Sequence, residues 1–343
     1  LKKYSLRFML VFMSTLLILA GCGSNQQVAE TTNAEGKPEV KEAKELKLVS
    51  FLAQDHRFTK DMIPLYMKKI EEGTEGAVKI TWIGGPESIP AKDQFDAVKD
   101  GMVDLVFNAS SFYVHLMPES DSLLLSPYSA AEERENGYFD FMAKRFEQQG
   151  VTYLGRWLMN SPFYFWTNRE IQSIDELKGS KFRSNPVYHE IFKQLGISPI
   201  NVDPGDVYTS LERRMVDGFG FPVLGPRDSG WTEVTKYIID EPFLEQNCTI
   251  LMNPSVLASL SPDIQKKIME LTKEFEIEAA EHWKQQNAEE MDALKQSGVQ
   301  AITLSEEEKE NFQNLVMETK WRELEGKIEA NLYQEIKAIL YKK

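Results

Sequence analysis

The stretch SIDELKGSKFRSNP, residues 173–186, sets the reading of the fold. Ser173 with Glu176 three residues on has the form of a helix capping box, Lys178 closes the short turn and Gly179 stops it. Residues 181–183 then read as a strand that ends at Asn185-Pro186. The same grammar continues downstream. Residues 187–195 read as a helix ended by Gly196. Asp203, with Pro204 at the first helical position and Asp206 in the first turn, opens a helix to about Met215. Residues 216–221 form a strand halted by Pro222. Upstream, 151–157 and 163–167 read as strands flanking Asn160-Ser161-Pro162. Further upstream, strands at 46–51, 78–83 and 103–107 alternate with helices at 59–72 and 91–100, the first carrying Met62, Leu65, Tyr66, Lys69 and Ile70 at helical spacing. Alternating β-α-β-α-β implies α/β architecture with a mostly parallel sheet covered by helices.

The end of the chain is helical. From Pro262 to about Gln296 there is no internal glycine or proline, so one helix of roughly 50 Å is expected, long enough to cross two lobes. Glu276, Glu278 and Glu281 are expected on its solvated face. Ser305 with Glu308 caps another helix, and a last one runs towards Tyr341. Residues 46–160 with 248–286 are expected as one lobe, and 161–247 with 287–343 as the other.

At the other end, Lys2, Lys3 and Arg7 precede an uncharged run, 8–20, that is short for a membrane span, and Leu19-Ala20-Gly21-Cys22 follows. This is a secretory signal whose last four residues resemble the lipobox of bacterial lipoproteins, which implies an acylated Cys22 as the mature N-terminus. Residues 22–45 then read as the lipidated cysteine and a polar, disordered tether, about 25–30 Å in mean span. The chain carries a net charge of −14, and removing the three cations of residues 1–21 leaves −17. That argues against a nucleic-acid binder and against recruitment to anionic lipid by charge. With Cys22 lipidated, Cys248 has no intrachain partner, and its context (Cys-Thr-Ile-Leu-Met) reads as a buried structural thiol.

Ligands of open α/β sheets sit beyond the carboxyl ends of strands. The residues there are Gln54, Asp55 and His56 after the first strand, Asn108 after the third, Arg183, and Phe219 and Phe221 two apart on one face of their strand. One cation, a few neutral polar groups and aromatic walls suit an organic anion with an apolar part. Each residue has a plainer use: Arg183 can pair with a surface carboxylate, His56 can be a loop residue, Asp55 a helix cap, and the phenylalanines core. Catalytic patterns are weak. No two of the four histidines have metal-ligand spacing, and neither a Gly-x-Ser-x-Gly elbow nor a phosphate-cradling glycine loop occurs. No cofactor or metal is expected.

DELKGSKFR (175–183), Leu195-Gly196, DVYTSL (206–211), Val216-Asp217-Gly218 and Pro222 occur in that order, and FDAVKDGMVDL (95–105) and His56 lie upstream. Together they resemble the solute-binding proteins of TRAP transporters, the DctP-like family, over roughly residues 46–300. The resemblance implies a two-lobed periplasmic-binding-protein-like fold of the class II type with a long helix spanning both lobes. It also implies an extracytoplasmic location, delivery to membrane permease subunits driven by an ion gradient, and no enzymatic activity. Arg183 matches the family's arginine, which forms a bidentate salt bridge to a substrate carboxylate, a task suited to guanidinium geometry. Two departures bear on the substrate. Phe221 stands where an asparagine commonly helps hold the carboxylate, and Phe163 stands where sugar-acid binders carry a second arginine. With Phe219 these point to an aromatic, branched or otherwise apolar monocarboxylate, and Tyr208 is a candidate for the same wall. Two other classes stay open on the residues alone: a receptor presenting ligand to a sensor kinase or chemoreceptor, and a lipid-anchored enzyme on the same fold, which the missing acid–base constellation opposes.

Overall fold

In a computed structural model, residues 43–341 other than Asn247 are described; the expected signal sequence, Cys22 and most of the expected tether lie outside them, but Lys44 and Glu45, expected in the disordered tether, pair with the second strand as the start of the first. The N-terminal alternation gives three parallel strands, β1 (Lys44–Ser50), β2 (Val78–Gly84) and β3 (Leu105–Ala109), joined through α1 (Met62–Gly73) and α2 (Gln94–Lys99). The inward stripe of α1 is Met62, Ile63, Tyr66 and Ile70, the three-to-four spacing that turns one helix face to a sheet. Then come α3 (Ala130–Glu135), α4 (Tyr138–Gln148) and β4 (Thr152–Arg156).

The chain next builds a second sheet from β5 (Tyr164–Thr167), β6 (Lys181–Ser184), α5 (His189–Gln194), β7 (Ser198–Asn201), α6 (Val207–Glu212), β8 (Gly218–Phe221), α7 (Trp231–Val234) and β9 (Tyr237–Ile239). It returns to the first sheet as β10 (Cys248–Met252), continues through α8 (Pro254–Ala258) and α9 (Pro262–Gln296), and adds β11 (Gln300–Ile302) to the second sheet before α10 (Glu306–Glu325) and α11 (Ala330–Leu340). The strand orders are β2-β1-β3-β10-β4 and β11-β9-β5-β8-β6-β7. β10 runs antiparallel to both β3 and β4. All five of its residues are buried, so it shows no alternation by which a strand is usually recognised.

The expected helix over 262–296 is α9, 35 residues and about 52 Å long. Three expectations change. Glu276 is buried, at 3% exposure, rather than solvated. Ser173 makes no cap; residues 174–177 form a 3-10 turn, and Glu176 accepts instead from the Gln172 amide at 2.9 Å. The last helix does not stay with the second sheet: Tyr333, Ile336 and Leu340 of α11 share a core with Tyr138, Phe139 and Met142 of α4, beside the first.

Between the sheets the chain crosses at 157–163, at 240–246 and again from α9 into β11, and the Gln246 side-chain amide ties the first two crossings by donating to the Ser161 carbonyl at 2.8 Å. One apolar cluster joins both sides, with Leu48, Phe107 and Trp157 from the first and Trp166, Phe219 and Trp231 from the second. The first crossing is fastened along α9. Trp283 Nε1 donates to the Trp157 carbonyl (3.0 Å), Asn160 Nδ2 to the Ala280 carbonyl (3.2 Å), and Asn287 Nδ2 to the Asn160 carbonyl. Asn160 adopts a left-handed φ of 59°, which asparagine tolerates better than most residues.

Candidate functional site

A cavity of about 280 Å³ opens between the two sheets. The first sheet contributes Phe51, Leu52, His56 and Phe58 from the loop after β1, the turn Ala109–Phe112 after β3, and Cys248 at the start of β10. The second contributes Arg183 and Asn185 at the tip of β6, Val187 beyond it, Phe221-Pro222 at the end of β8, and Phe163 before β5. The strand tips therefore converge where open α/β sheets place ligands. The turn at Val187 is braced from behind: Lys320 of α10, only 2% exposed, donates to the Val187 carbonyl at 3.0 Å and pairs with Glu323 at 2.7 Å.

Arg183 is 6% exposed and faces this cavity. Its guanidinium bonds only neutral groups: Nε donates to the Val202 carbonyl (3.3 Å), and Nη1 to the Tyr188 hydroxyl (3.1 Å) and the Gly220 carbonyl (3.4 Å). Its Cζ lies 5.7 Å from the centre of the Phe221 ring. Among the described residues no carboxylate stands within ion-pair distance of it. A buried cation is normally paired, so an arginine oriented by neutral acceptors at a cavity wall can take an anion from outside.

The other expected site residues divide. His56, Phe163 and Phe221 line the cavity with Arg183. The His56 Nδ1 accepts from the Phe58 amide at 3.2 Å, so the neutral ring carries its proton on Nε2. Burial holds this imidazole below its ordinary pKa, against the opposing charge of Asp55. Asp55 and Tyr208 line an adjoining, more polar cavity that shares His56, Phe58 and Phe221 as its wall. Three residues are elsewhere. Asn108 is fully buried in the first sheet and donates to the Ala91 carbonyl at 3.1 Å. Phe219 is core, stacked on Trp166 at 5.4 Å. Gln54 is exposed and donates to the Trp82 carbonyl at 3.0 Å. Sequence reasoning missed Tyr188, Asn185, Gln246 and the serines of the 110–112 turn, because each lies in a segment whose pattern states its secondary structure and not its direction. The thiol of Cys248 is buried, which pushes its pKa well up and leaves it un-ionised.

Loops of the two halves also meet beside the cavity. Arg57 Nη1 pairs with Asp228 at 2.7 Å and its Nη2 with Glu290 of α9 at 3.1 Å, while Arg227 grips the same Glu290 through two nitrogens at 2.7 and 2.8 Å. Glu290 is 2% exposed. Among the described residues no three His, Cys, Asp or Glu side chains gather as a metal-holding group.

Two α/β sheets joined by crossing segments, a long helix along both and a cavity at facing strand tips define a two-lobed solute-binding protein. The model of the DctP family, the bacterial extracellular solute-binding proteins of family 7, matches residues 48–327, and the chain belongs to that family. The family is one of extracytoplasmic solute-binding receptors, not of enzymes. The chain is 24% identical to the 2,3-diketo-L-gulonate-binding periplasmic protein of Escherichia coli, over 68% of this chain and 74% of that protein. It is 22% identical to the monocarboxylate 2-oxoacid-binding periplasmic protein of a Nostoc species, over 70% and 68%. The crystal structure of a TRAP periplasmic solute-binding protein from Desulfovibrio salexigens with bound orotic acid superposes with a TM-score of 0.71 at 22% identity, covering 86% of this chain and 98% of that one.

Proposed function

We propose that this protein captures a small monocarboxylate with an aromatic or branched apolar body and delivers it to a TRAP-type permease. The observation that carries the reading is Arg183, buried at the cavity wall with neutral partners and, among the described residues, no carboxylate paired to it. Around it stand Phe51, Phe58, Phe112, Leu124, Phe163 and Phe221, a surface that favours an apolar body over a polyhydroxy one, which would leave its hydroxyls unpaired. The three similar proteins reported above are named for, or hold, organic acids. Two hydrogen bonds from one guanidinium to a carboxylate, at about 1.5–3 kcal/mol each, supply a large share of the roughly 8 kcal/mol of micromolar binding. The lipobox-like Leu19-Ala20-Gly21-Cys22 supports an acyl anchor on Cys22 that holds the protein at the outer face of the cell membrane; Cys22→Ser is expected to release it into the soluble fraction.

A thermal-shift screen tests the substrate class. A ligand at a hundred times its dissociation constant stabilises by about 2.7 kcal/mol, so phenylacetate and 4-methyl-2-oxopentanoate should raise the melting temperature where gluconate does not. A shift with gluconate and none with the apolar acids would overturn the assignment. Loss of uptake in cells lacking the protein tests delivery to a permease.

A further inference from the structure

A guanidinium offers five N–H groups. Three of those of Arg183 are directed at Val202, Tyr188 and Gly220, and among the described residues Nη2 meets no acceptor. At 3.1–3.4 Å the three contacts are long for a charged donor; they orient the group more than they satisfy it. Tyr188 makes that orientation directional. It is fully buried, and its hydroxyl donates to the Gly220 carbonyl at 2.7 Å. A phenol has a single proton. With that proton committed to Gly220, the lone pairs of the oxygen are turned to Arg183 Nη1.

Gly220 is what admits the phenol. A Cβ there would stand 2.9 Å from Cε2 of Tyr188 and 2.9 Å from Cζ of Phe192, closer than real side chains approach. The ring is held on its other sides by Phe163 at 5.2 Å, Phe192 at 5.1 Å and Phe243 at 5.3 Å. Burial pushes the phenol pKa up to about 12 despite the nearby Arg183 charge, so Tyr188 remains a neutral partner.

We propose that Tyr188, seated by Gly220, is a positioning residue that aims Arg183 so that its Nη2 side is turned to the ligand carboxylate. The inference rests on the carboxylate reading of the cavity and adds to it how the acid group is recognised. Tyr188 leaves the guanidinium charge uncompensated, which an aspartate or glutamate in its place would not do. The Phe219-Gly220-Phe221 sequence then has a purpose: its central residue trades a side chain for the phenol behind it.

The test is a double-mutant cycle read by calorimetry with phenylacetate and 4-methyl-2-oxopentanoate. Tyr188→Phe in the otherwise native protein should weaken binding roughly tenfold; in an Arg183→Gln background it should change affinity less than twofold, because the residue it acts through is gone. Equal losses in both backgrounds would make Tyr188 a packing residue, and no loss in the native background would remove it from recognition; either result overturns the proposal. If the unaltered protein binds neither these acids nor any other monocarboxylate, the reading of the cavity falls and this inference with it. A measurement without variants covers poor folding of Tyr188→Phe: in side-chain nitrogen NMR of the unliganded protein, Arg183 should show two separate Nη signals, with Nη2 shifting on ligand addition. A single averaged Nη signal would overturn the proposal.

Discussion

In the proposed function, recognition is divided between charge at Arg183 and shape at Phe221. Arg183→Ala deletes the cavity's cation and is expected to weaken carboxylate binding by at least ~2 kcal/mol, more than thirtyfold, in a protein that still folds; calorimetry returning near-native affinity would refute the role. Phe221 stands in the wall between the two cavities and packs edge-on against Trp231 at 5.0 Å. Phe221→Ala merges the two spaces. It should lower affinity for phenylacetate roughly tenfold while changing that for pyruvate, which has no ring to lose contact with, by less than threefold; equal losses would show that Phe221 does not read the body of the ligand. Arg183 was legible from its place at a strand tip, with the question of its partner left open. Asn108 occupies an equivalent tip, yet its amide turns inward to Ala91. Strand-tip position identifies candidates, and rotamer and local acceptors then choose among them, which no spacing records.

Helices and strands were read more securely than the residues they carry. Absence of internal glycine and proline after Pro262 marked α9 to both ends, whereas β10, wholly buried, gave no periodic signal. The amphipathic reading of α9 failed at Glu276 because a charged partner arrives from far along the chain. Arg134 holds this carboxylate through Nε (2.8 Å) and Nη2 (2.6 Å), and the Arg156 amide donates to it at 2.7 Å. A Cβ on Gly155 of β4 would lie 2.5 Å from the Glu276 Oε1, so the glycine makes room for the carboxylate to reach the strand. Gly155→Ala should destabilise by about 1–3 kcal/mol through this overlap, measured by denaturant unfolding; an unchanged midpoint would contradict it. Burial pushes the Glu276 carboxyl up to about 7 against the pull of Arg134, and burial raises Glu245 as well. A carboxyl raised above its unfolded value of 4.5 holds its proton more tightly when folded. Its contribution is complete below that value and is lost as pH rises towards 7. The melting temperature should therefore decline between pH 5 and 8, and by a few degrees less in Glu276→Gln; parallel pH profiles for the two proteins would argue against this titration.

Assembly of the two halves depends on contacts that no local pattern announces. The lobes were foreseen from the two strand–helix series, but their meeting through Arg57, Asp228, Arg227 and Glu290 joins four residues from three distant segments. Arg57 lies outside the cavity that holds Arg183, so its effect on ligand must pass through closure. Arg57→Ala is expected to weaken monocarboxylate binding two- to fivefold, with the difference shrinking as salt screens the partly exposed pair; equal affinity at low salt would remove the cluster from closure. The placement of α11 beside α4 was likewise illegible, since an amphipathic helix states which face is buried and not what buries it.

The fastening of α9 to the first crossing segment limits how the halves can part. A helix of about 52 Å, pinned through Trp283, Asn160 and Asn287, resists sliding along the segment it holds. Opening must then be a swing about the crossings taken together, since the second connection is itself tied to the first by Gln246 and by the pairing of Phe163 with Leu244. Since Gln246 lies in that connection and also on the cavity wall, a molecule resting there touches the axle of the door it has entered.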